Sequence, residues 1–428
     1  MNTARQPSVV DSCTLIYVEV DQNSNKVWQG NVYNDGTLIV EWGRVGYQLQ
    51  SRVYTLKSLA LAQSKLARTR RQKIRKGYTE AQLVNPGKQI EFAVKESELE
   101  TIAAKEIEHG KDPRAKQLIR YLVAVNIHNI TSQTNITYDV NTGNFKTPLG
   151  LVTPDAIALA RDYLAQIMAA GQTNNRQTRS AINNYLRLIP QNLGHKIDYQ
   201  RFFQPQEIQR QQEILNALAA AVLQPTNPPR NGDRVFKCSI TRVPGSTLKG
   251  KQIFRQIRKL YESTINHNHF SAVHKLRRLY EIDISSMDQA FEAKSAEIGN
   301  VKLHWHGTRA SNLLSILKQG LIIPPASATQ CTGRMFGNGI YGSEQSTKAL
   351  NYATNYWNQS GDGNQRVYML LCEFAMGKEY AFKNSYRGAL PKPGHDSTYV
   401  KPGSNVINQE SIVYDPAQVR IKYLCEFV

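Results

Sequence analysis

The chain reads as a multidomain α+β protein: a small antiparallel β-sheet with one helix, then an all-α helical bundle, then a larger α+β unit. Three observations predict this. Strand-like runs crowd the first 54 residues, residues 110–224 carry successive helix-start signals, and a proline-rich stretch at 224–232 leads into strands, helices and glycine turns. A chain of 428 residues also exceeds one ordinary core; units of about 100–200 residues are the rule.

Residues 13–20 are rich in β-branched and aromatic side chains, and similar runs follow at 26–33, 37–42 and 47–54, the composition of half-buried strands. Asn34, Asp35 and Gly36 supply the conformations of a hairpin between the second and third runs. Thr55 is the expected N-cap of a helix that keeps Leu59, Ala62 and Leu66 on one side and runs to Gly77. The first unit spans 10–95. Residues 95–111 are charged and mixed, and read as a linker. Asp112-Pro113 then gives an N-cap and a first helical residue, opening a helix through Leu118, Ile119 and Leu122. Thr153-Pro154 repeats the signal, with Ile157, Ala160, Leu164 and Ile167 at helical spacing and Gly171 closing the turn. Helices at 175–189 and 206–223 complete a second unit over 110–224. Past the hinge, the third unit, 233–428, opens with a strand at 234–243 and a helix carrying Ile253, Ile257 and Leu260.

Net charge is +19 and the isoelectric point about 9.6. Nine Lys and Arg residues and no acid fall within 51–79, so much of the charge is a patch suited to a polyanion such as nucleic acid. Five cysteines, Cys13, Cys238, Cys331, Cys372 and Cys425, show no Cys-x₂-Cys spacing. They predict buried thiols in a reducing, intracellular setting, with neither a zinc finger nor a disulfide framework. No metal site is expected, no run has the ~20 apolar residues of a membrane span, and residues 1–10 lack a signal pattern.

Residues 301–307 alternate as a strand, with Leu303 and Trp305 on one face and His304 and His306 on the other. Gly307 follows, and a residue without Cβ lets a ligand reach the main chain. Gly337-Asn-Gly-Ile-Tyr-Gly342 satisfies the dinucleotide-binding glycine pattern, but the context is wrong. The preceding residues 329–334 are polar, and Asp362 sits in a glycine-flanked loop rather than at a strand end. Tyr341 and Tyr352 flank a short helix at 343–351 and could sandwich a flat aromatic ligand. Glu410 begins an apolar strand. Taken singly, a strand histidine, two tyrosines and a strand-edge glutamate are ordinary structural residues.

Their order is not ordinary. His306-Gly307, Gly339-Ile340-Tyr341 and Glu410 before Ser-Ile-Val-Tyr-Asp415 resemble the His-Tyr-Glu signature of the poly(ADP-ribose) polymerase catalytic domain. The text between agrees at Leu317-Lys-Gln-Gly-Leu321, Met335-Phe-Gly337 and Asn351-Tyr352. Trp42-Gly43-Arg44 resembles the Trp-Gly-Arg (WGR) domain of the DNA-dependent members. Thr147-Pro-Leu-Gly150 and the run from Tyr185 to Gly194 resemble their helical regulatory domain. The order is that of the compact members without zinc fingers.

The resemblance implies an ADP-ribosyltransferase fold that takes NAD⁺ as substrate and needs no metal. Gly307 would clamp the nicotinamide carboxamide, Tyr341 and Tyr352 would stack on the ring, and His306 would bind the adenosine ribose. Thr308 and Asn312 would approach the adenosine half. Glu410 would hold the nicotinamide ribose 2′-OH, stabilise developing positive charge and polarise an acceptor hydroxyl. On the DNA side Trp42 would stack on an exposed sugar or base, Arg44 would meet phosphate or the neighbouring domain, and Arg68, Arg70, Arg71 and Lys73 would add phosphate contacts.

The implied partners are DNA strand breaks bearing a 5′-phosphate and protein acceptors, the chain itself included, in a DNA-damage response. The setting would be the nucleus of a eukaryote or the cytoplasm and nucleoid of a bacterium. The helical domain would block NAD⁺ until DNA binds. A mono-ADP-ribosyltransferase acting on protein or DNA ends, and a non-catalytic DNA-end binder, are the alternatives.

Four departures stand out. Ala349 replaces a serine that bonds the carboxamide, a loss of about 1 kcal/mol unless Ser346 or water substitutes. Ile322 replaces an arginine, Asn216 and Ala220 replace its acidic partners, and the segment between Leu390 and Glu410 is short.

Overall fold

The computed structural model describes residues 8–80, 98–134, 136–139, 144–147, 150–170, 174–222, 234–323, 335–354, 366–386, 388–404 and 406–428. Strands β1 (Val9–Glu19), β2 (Ser24–Tyr33), β3 (Thr37–Arg44) and β4 (Gln50–Thr55), helix α1 (Leu59–Arg75) and strand β5 (Thr79–Glu80) open the chain. The sheet is antiparallel in the order β4-β3-β2-β1-β5. Leu15, Trp28, Leu38 and Val40 meet Ala62 and Leu66 of α1 in its core. The helix starts later than expected. Thr55 is held in the ladder opposite Thr37, and Ser58 takes the N-cap, its hydroxyl accepting from the Leu61 N–H at 3.3 Å.

The stretch expected to be a linker contains α2 (Glu98–Glu106). Leu99 and Ala103 are buried, and the Glu106 carboxylate accepts from the Val235 and Phe236 N–H groups at 2.6 and 3.0 Å. Those bonds also explain why the strand expected from residue 234 starts only at Cys238. Helix α3 (Pro113–Gln133) is capped by Asp112, whose Oδ1 accepts from Arg114 N at 2.7 Å and Ala115 N at 3.2 Å.

Three short strands follow in the stretch read as all-helical: β6 (Thr137–Asp139), β7 (Asn144–Thr147) and β8 (Gly150–Leu151). They are too brief to set up a visible period-two pattern. Helices α4 (Pro154–Ala169), α5 (Arg176–Leu188) and α6 (Pro205–Ala221) complete the region. Thr153 caps α4 by accepting from Ala156 N at 3.2 Å, and Asn175 caps α5; Gly171 lies outside the described residues. Tyr185 on α5 donates its hydroxyl to Gln211 of α6 at 2.7 Å, and Gln191 joins the same buried network. Asn183 of α5 accepts from Val20 N at 3.0 Å and donates to Glu19 at 2.8 Å, fastening the helix to the end of β1.

The carboxy-terminal region contains β9 (Cys238–Arg242), α7 (Leu248–Ser263), β10 (Leu276–Ile284), α8 (Ser285–Ile298), β11 (Val301–Gly307), α9 (Ala310–Gln319), β12 (Ile340–Gly342), α10 (Ser346–Ala353), β13 (Val367–Ala375), β14 (Glu379–Ala381), β15 (Ser397–Val400), β16 (Glu410–Val413) and β17 (Val419–Phe427). Two sheets result, β11-β13-β17-β10-β9 and β12-β16-β15-β14. Strand β13 is buried along almost its whole length, which explains an apolar run broken only at Glu373. By compactness the chain divides into Met1–Lys95 with Asn129–Leu218, and Glu96–His128 with Ala219–Val428.

Candidate active site

Strand β11 is the edge of the larger sheet, pairing with β13 so that His306 faces Leu370 and Gly307 faces Met369. On its free side Trp305 exchanges two main-chain bonds with Ser343, at 2.8 and 3.0 Å. This bridge brings the start of the α10 segment, and with it Tyr341, beside His306. The His306 Nδ1 sits 2.8 Å from the Tyr341 carbonyl oxygen, and burial pushes its imidazole below the usual histidine range, against the pull of that carbonyl. The ring is therefore neutral at pH 7.

Gly307 has a packing reason that its sequence context did not reveal. A Cβ there would lie 1.7 Å from the Ala349 carbonyl oxygen and 3.1 Å from Tyr352 Cβ. Only glycine lets α10 cross the end of β11 this closely, and the crossing sets Tyr352 against the strand. Tyr352 remains 37% exposed. Its hydroxyl is held above the usual phenol range by burial and then by the neighbouring Glu410 carboxylate. Tyr341 is anchored at its far end, donating to Gly337 O at 2.8 Å and accepting from Phe336 N at 3.0 Å. Its ring packs on Phe336, Val400 and Ile412.

Glu410 opens β16, opposite Val400. Its carboxylate is ion-paired with Lys348 of α10, both side chains being only 13% exposed. Burial pushes the Lys348 ammonium down and Glu410 pulls it back up. Sequence reasoning passed over Lys348, although a lysine four residues before Tyr352 on a short, mostly apolar helix projects from the same face. Gln409 was also missed. It is buried, accepts from Glu344 N at 2.7 Å, donates to Ser411 Oγ at 2.7 Å, and its carbonyl accepts from Ser343 Oγ at 2.8 Å. These bonds fix the chain immediately before Glu410.

At the far end of β11, Asn312 of α9 donates to Thr308 Oγ1 at 3.2 Å. The buried Asn312 Oδ1 has no partner among the described residues, an acceptor available to a ligand. Ser346 does not stand in for the missing serine. It is fully buried and donates its hydroxyl to Tyr261 O at 2.9 Å. Ile322 is 38% exposed, Asn216 accepts from Arg161 at 2.8 Å, and the Ala220 side chain lies outside the described residues. Cys331, residues 329–334 and Asp362 also lie outside them. The cysteines Cys13, Cys238, Cys372 and Cys425 are free and buried.

On the amino-terminal sheet Trp42 is half-buried, directly opposite Trp28. The Arg44 guanidinium donates to Gly194 O at 2.7 Å and to Asn23 O and Oδ1, each at 3.0 Å. Of the two roles expected for Arg44, this geometry fits contact with the helical region. Arg68 and Arg71 are exposed on α1, Arg70 is ion-paired with Glu80, and the Lys73 ammonium lies 4.9 Å from the Tyr78 ring centre.

The family model of the poly(ADP-ribose) polymerase catalytic domain matches residues 251–410, and that of the WGR domain matches residues 11–85. A protein of Invertebrate iridescent virus 6, described as putative poly [ADP-ribose] polymerase-like 100L, is 32% identical over 163 residues, covering 36% of this chain and 86% of its own length. The chain belongs to the poly(ADP-ribose) polymerase family. Human protein mono-ADP-ribosyltransferase PARP3 is 25% identical over 429 residues, 91% of this chain and 76% of its own. Human poly [ADP-ribose] polymerase 2 is 26% identical over 352 residues, 73% of this chain and 58% of its own. As a family member, the chain pairs a WGR domain with the catalytic domain of an ADP-ribosyltransferase, which uses NAD⁺ as substrate. Among the described residues no helix is long and apolar enough to cross a membrane, and no group of three His, Cys, Asp or Glu is arranged to hold a metal.

Proposed function

We propose that this protein is a DNA-break-activated ADP-ribosyltransferase that cleaves NAD⁺ to nicotinamide and joins ADP-ribose to protein acceptors, itself among them, extending it into poly(ADP-ribose). The division of labour is a WGR DNA-binding domain over 10–95, a helical regulatory domain over 110–224 and a catalytic domain over 233–428. The supporting observation is the setting of Glu410. Lys348 and the Gln409 network hold its carboxylate at the start of β16, beside Tyr352.

In this reading the main chain of Gly307 holds the carboxamide and Tyr352 covers the ring, with Tyr341 on the other side. Neutral His306 and the free Asn312 oxygen, with Thr308, receive the adenosine half. As the nicotinamide bond breaks, positive charge grows on the ribose. A preorganised carboxylate stabilises it without solvent reorganisation, an effect of a few kcal/mol. Lys348 pairs with Glu410, whose carboxylate also accepts from the incoming 2′-OH. With an acceptor bound, the same carboxylate polarises the attacking hydroxyl.

On DNA, Trp42 stacks at the break, while Arg68, Arg70, Arg71 and Lys73 meet phosphate, Arg70 leaving Glu80 to do so. Arg44 couples the sheet to the loop at Gly194, giving DNA binding a route to the helices. The setting is the nucleus of a eukaryote or the nucleoid of a bacterium. A second reading, transfer of single ADP-ribose units, is favoured by the short segment between Leu390 and Glu410 and by the likeness to a mono-ADP-ribosyltransferase along 91% of the chain.

The test is incorporation of labelled NAD⁺ with and without a 5′-phosphorylated duplex. DNA-dependent labelling that smears on a gel supports the polymerase, and a discrete shift supports single-unit transfer. Equal labelling without DNA would remove the switch, and no labelling would remove the enzyme.

A further inference from the structure

We propose that the solvent face of α7 is a second nucleic-acid-binding surface, carried by the catalytic unit itself and separate from the WGR domain. The basic run on α1 accounts for only part of the net charge. Residues 244–278 hold eight Lys or Arg against the single acid Glu262. On α7, Lys251, Arg255, Arg258 and Lys259 recur at i, i+4, i+7 and i+8, which is one stripe of a helix. All four are exposed, while Gly250, Ile257 and Tyr261 on the opposite stripe are buried in the sheet core. Arg258 pairs loosely with Glu262 at 3.6 Å, and Lys251, Arg255 and Lys259 make no ion pair among the described residues.

A solvated helix usually mixes both signs of charge for solubility. The single sign on α7 is not explained that way. Lys251 and Lys259 are eight residues apart, about 12 Å along a helix, a reach that takes in neighbouring phosphates of one strand. The apolar stripe is already buried, so the helix has no face left to insert into a bilayer.

A second exposed feature lies in the turn that follows α7. Tyr261 donates its hydroxyl to His274 O at 2.8 Å, and Ser271 donates to Thr347 O at 2.9 Å. The turn Phe270–Val273 is thereby fixed against the end of α7 with Phe270 74% exposed. An exposed ring on the same unit as a row of cations can stack an unpaired base while the cations hold the backbone electrostatically. The ligand fitting both features is nucleic acid with a single-stranded end.

The measurement is fluorescence anisotropy of the full-length protein with 5′-phosphorylated duplexes, blunt or carrying a short overhang, over a range of KCl. The variant Lys251→Glu/Arg255→Glu/Lys259→Glu is compared with Lys237→Glu/Lys378→Glu/Lys383→Glu, an equal charge change at exposed sites elsewhere in the unit. Reversing three phosphate contacts should lower affinity at least tenfold and reduce the slope of log K against log salt by about 2–3, with little change in the control. Phe270→Ala should weaken the overhang duplex alone. Binding that survives Arg68→Glu/Arg71→Glu/Lys73→Glu on α1 and is lost when the α7 changes are added belongs to this second face, so its failure is distinct from failure of the WGR reading. DNA-independent NAD⁺ turnover of the α7 variant should stay at the wild-type level. Equal losses in both catalytic-unit variants, an unchanged slope, or loss of binding to phosphatidylserine vesicles with DNA affinity intact would each overturn the proposal.

Discussion

His304 is a buried histidine that the proposed chemistry does not use. It is fully buried on β11, neither ring nitrogen has a partner among the described residues, and its ring meets Phe374 edge-on at 5.1 Å. Burial, with a smaller push from Lys302 and an opposing pull from Glu379, drives its pKa down to about 4. The unfolded chain takes up that proton near pH ~6.5. Between those values the unfolded state therefore binds more protons, and stability rises with pH. At about 1.4 kcal/mol per tenfold, the gap between about 4 and roughly 6.5 corresponds to about 3 kcal/mol, present above pH ~6.5 and lost progressively toward about 4.

Replacing His304 with leucine removes both the titration and two unsatisfied nitrogens, each of which costs about 1 kcal/mol or more. His304→Leu should stabilise the protein by about 1–3 kcal/mol at pH 7.5. The gain should grow as pH falls from 6.5 to 4.5, read as urea midpoints across that range. A variant less stable than wild type at pH 7.5, or one with the wild-type dependence on pH, would show that His304 does not carry this cost. The other histidines are common to both proteins and cancel in the comparison.

Two further predictions concern the site itself. Lys348→Met leaves Glu410 without its cation in a mostly buried place, and should destabilise the protein by up to about 3 kcal/mol. The double variant Lys348→Met/Glu410→Gln should recover part of that loss in a denaturation double-mutant cycle. Ala349→Ser places a hydroxyl on α10 beside Gly307, and should tighten nicotinamide by about fivefold, near 1 kcal/mol. Isothermal calorimetry reads that change, and unaltered affinity would mean that the carboxamide does not reach residue 349.

The parts legible in the sequence are those whose causes are local. Asp112-Pro113 and Thr153-Pro154 mark helix starts because a cap and its N–H partners lie within three residues. The amino-terminal strands showed because each is long enough to display its pattern. Thr55 misled because its place in the ladder is decided by Thr37, across a hairpin. The three short strands after α3 were hidden by their length. For the candidate site, spaced motifs single out His306, Gly307, Tyr341, Tyr352 and Glu410 as expectations but not Lys348, whose partner lies 62 positions away. Arg44 is similar: its carbonyl partner at Gly194 is 150 residues distant. Gly307 was legible as a glycine that had to be there, yet the Ala349 carbonyl that excludes a Cβ is visible only in three dimensions.

In the proposed function Glu410, held by Lys348 and Gln409, stabilises the charge that develops as the nicotinamide bond of NAD⁺ breaks. Nicotinamide release by the full-length protein with DNA, beside NAD⁺ affinity from calorimetry, compares wild type with Glu410→Gln directly. In Glu410→Gln, kcat should fall about 10²–10³-fold while affinity changes by less than about threefold. Turnover within tenfold of wild type, or a loss explained by weaker NAD⁺ binding alone, would contradict it.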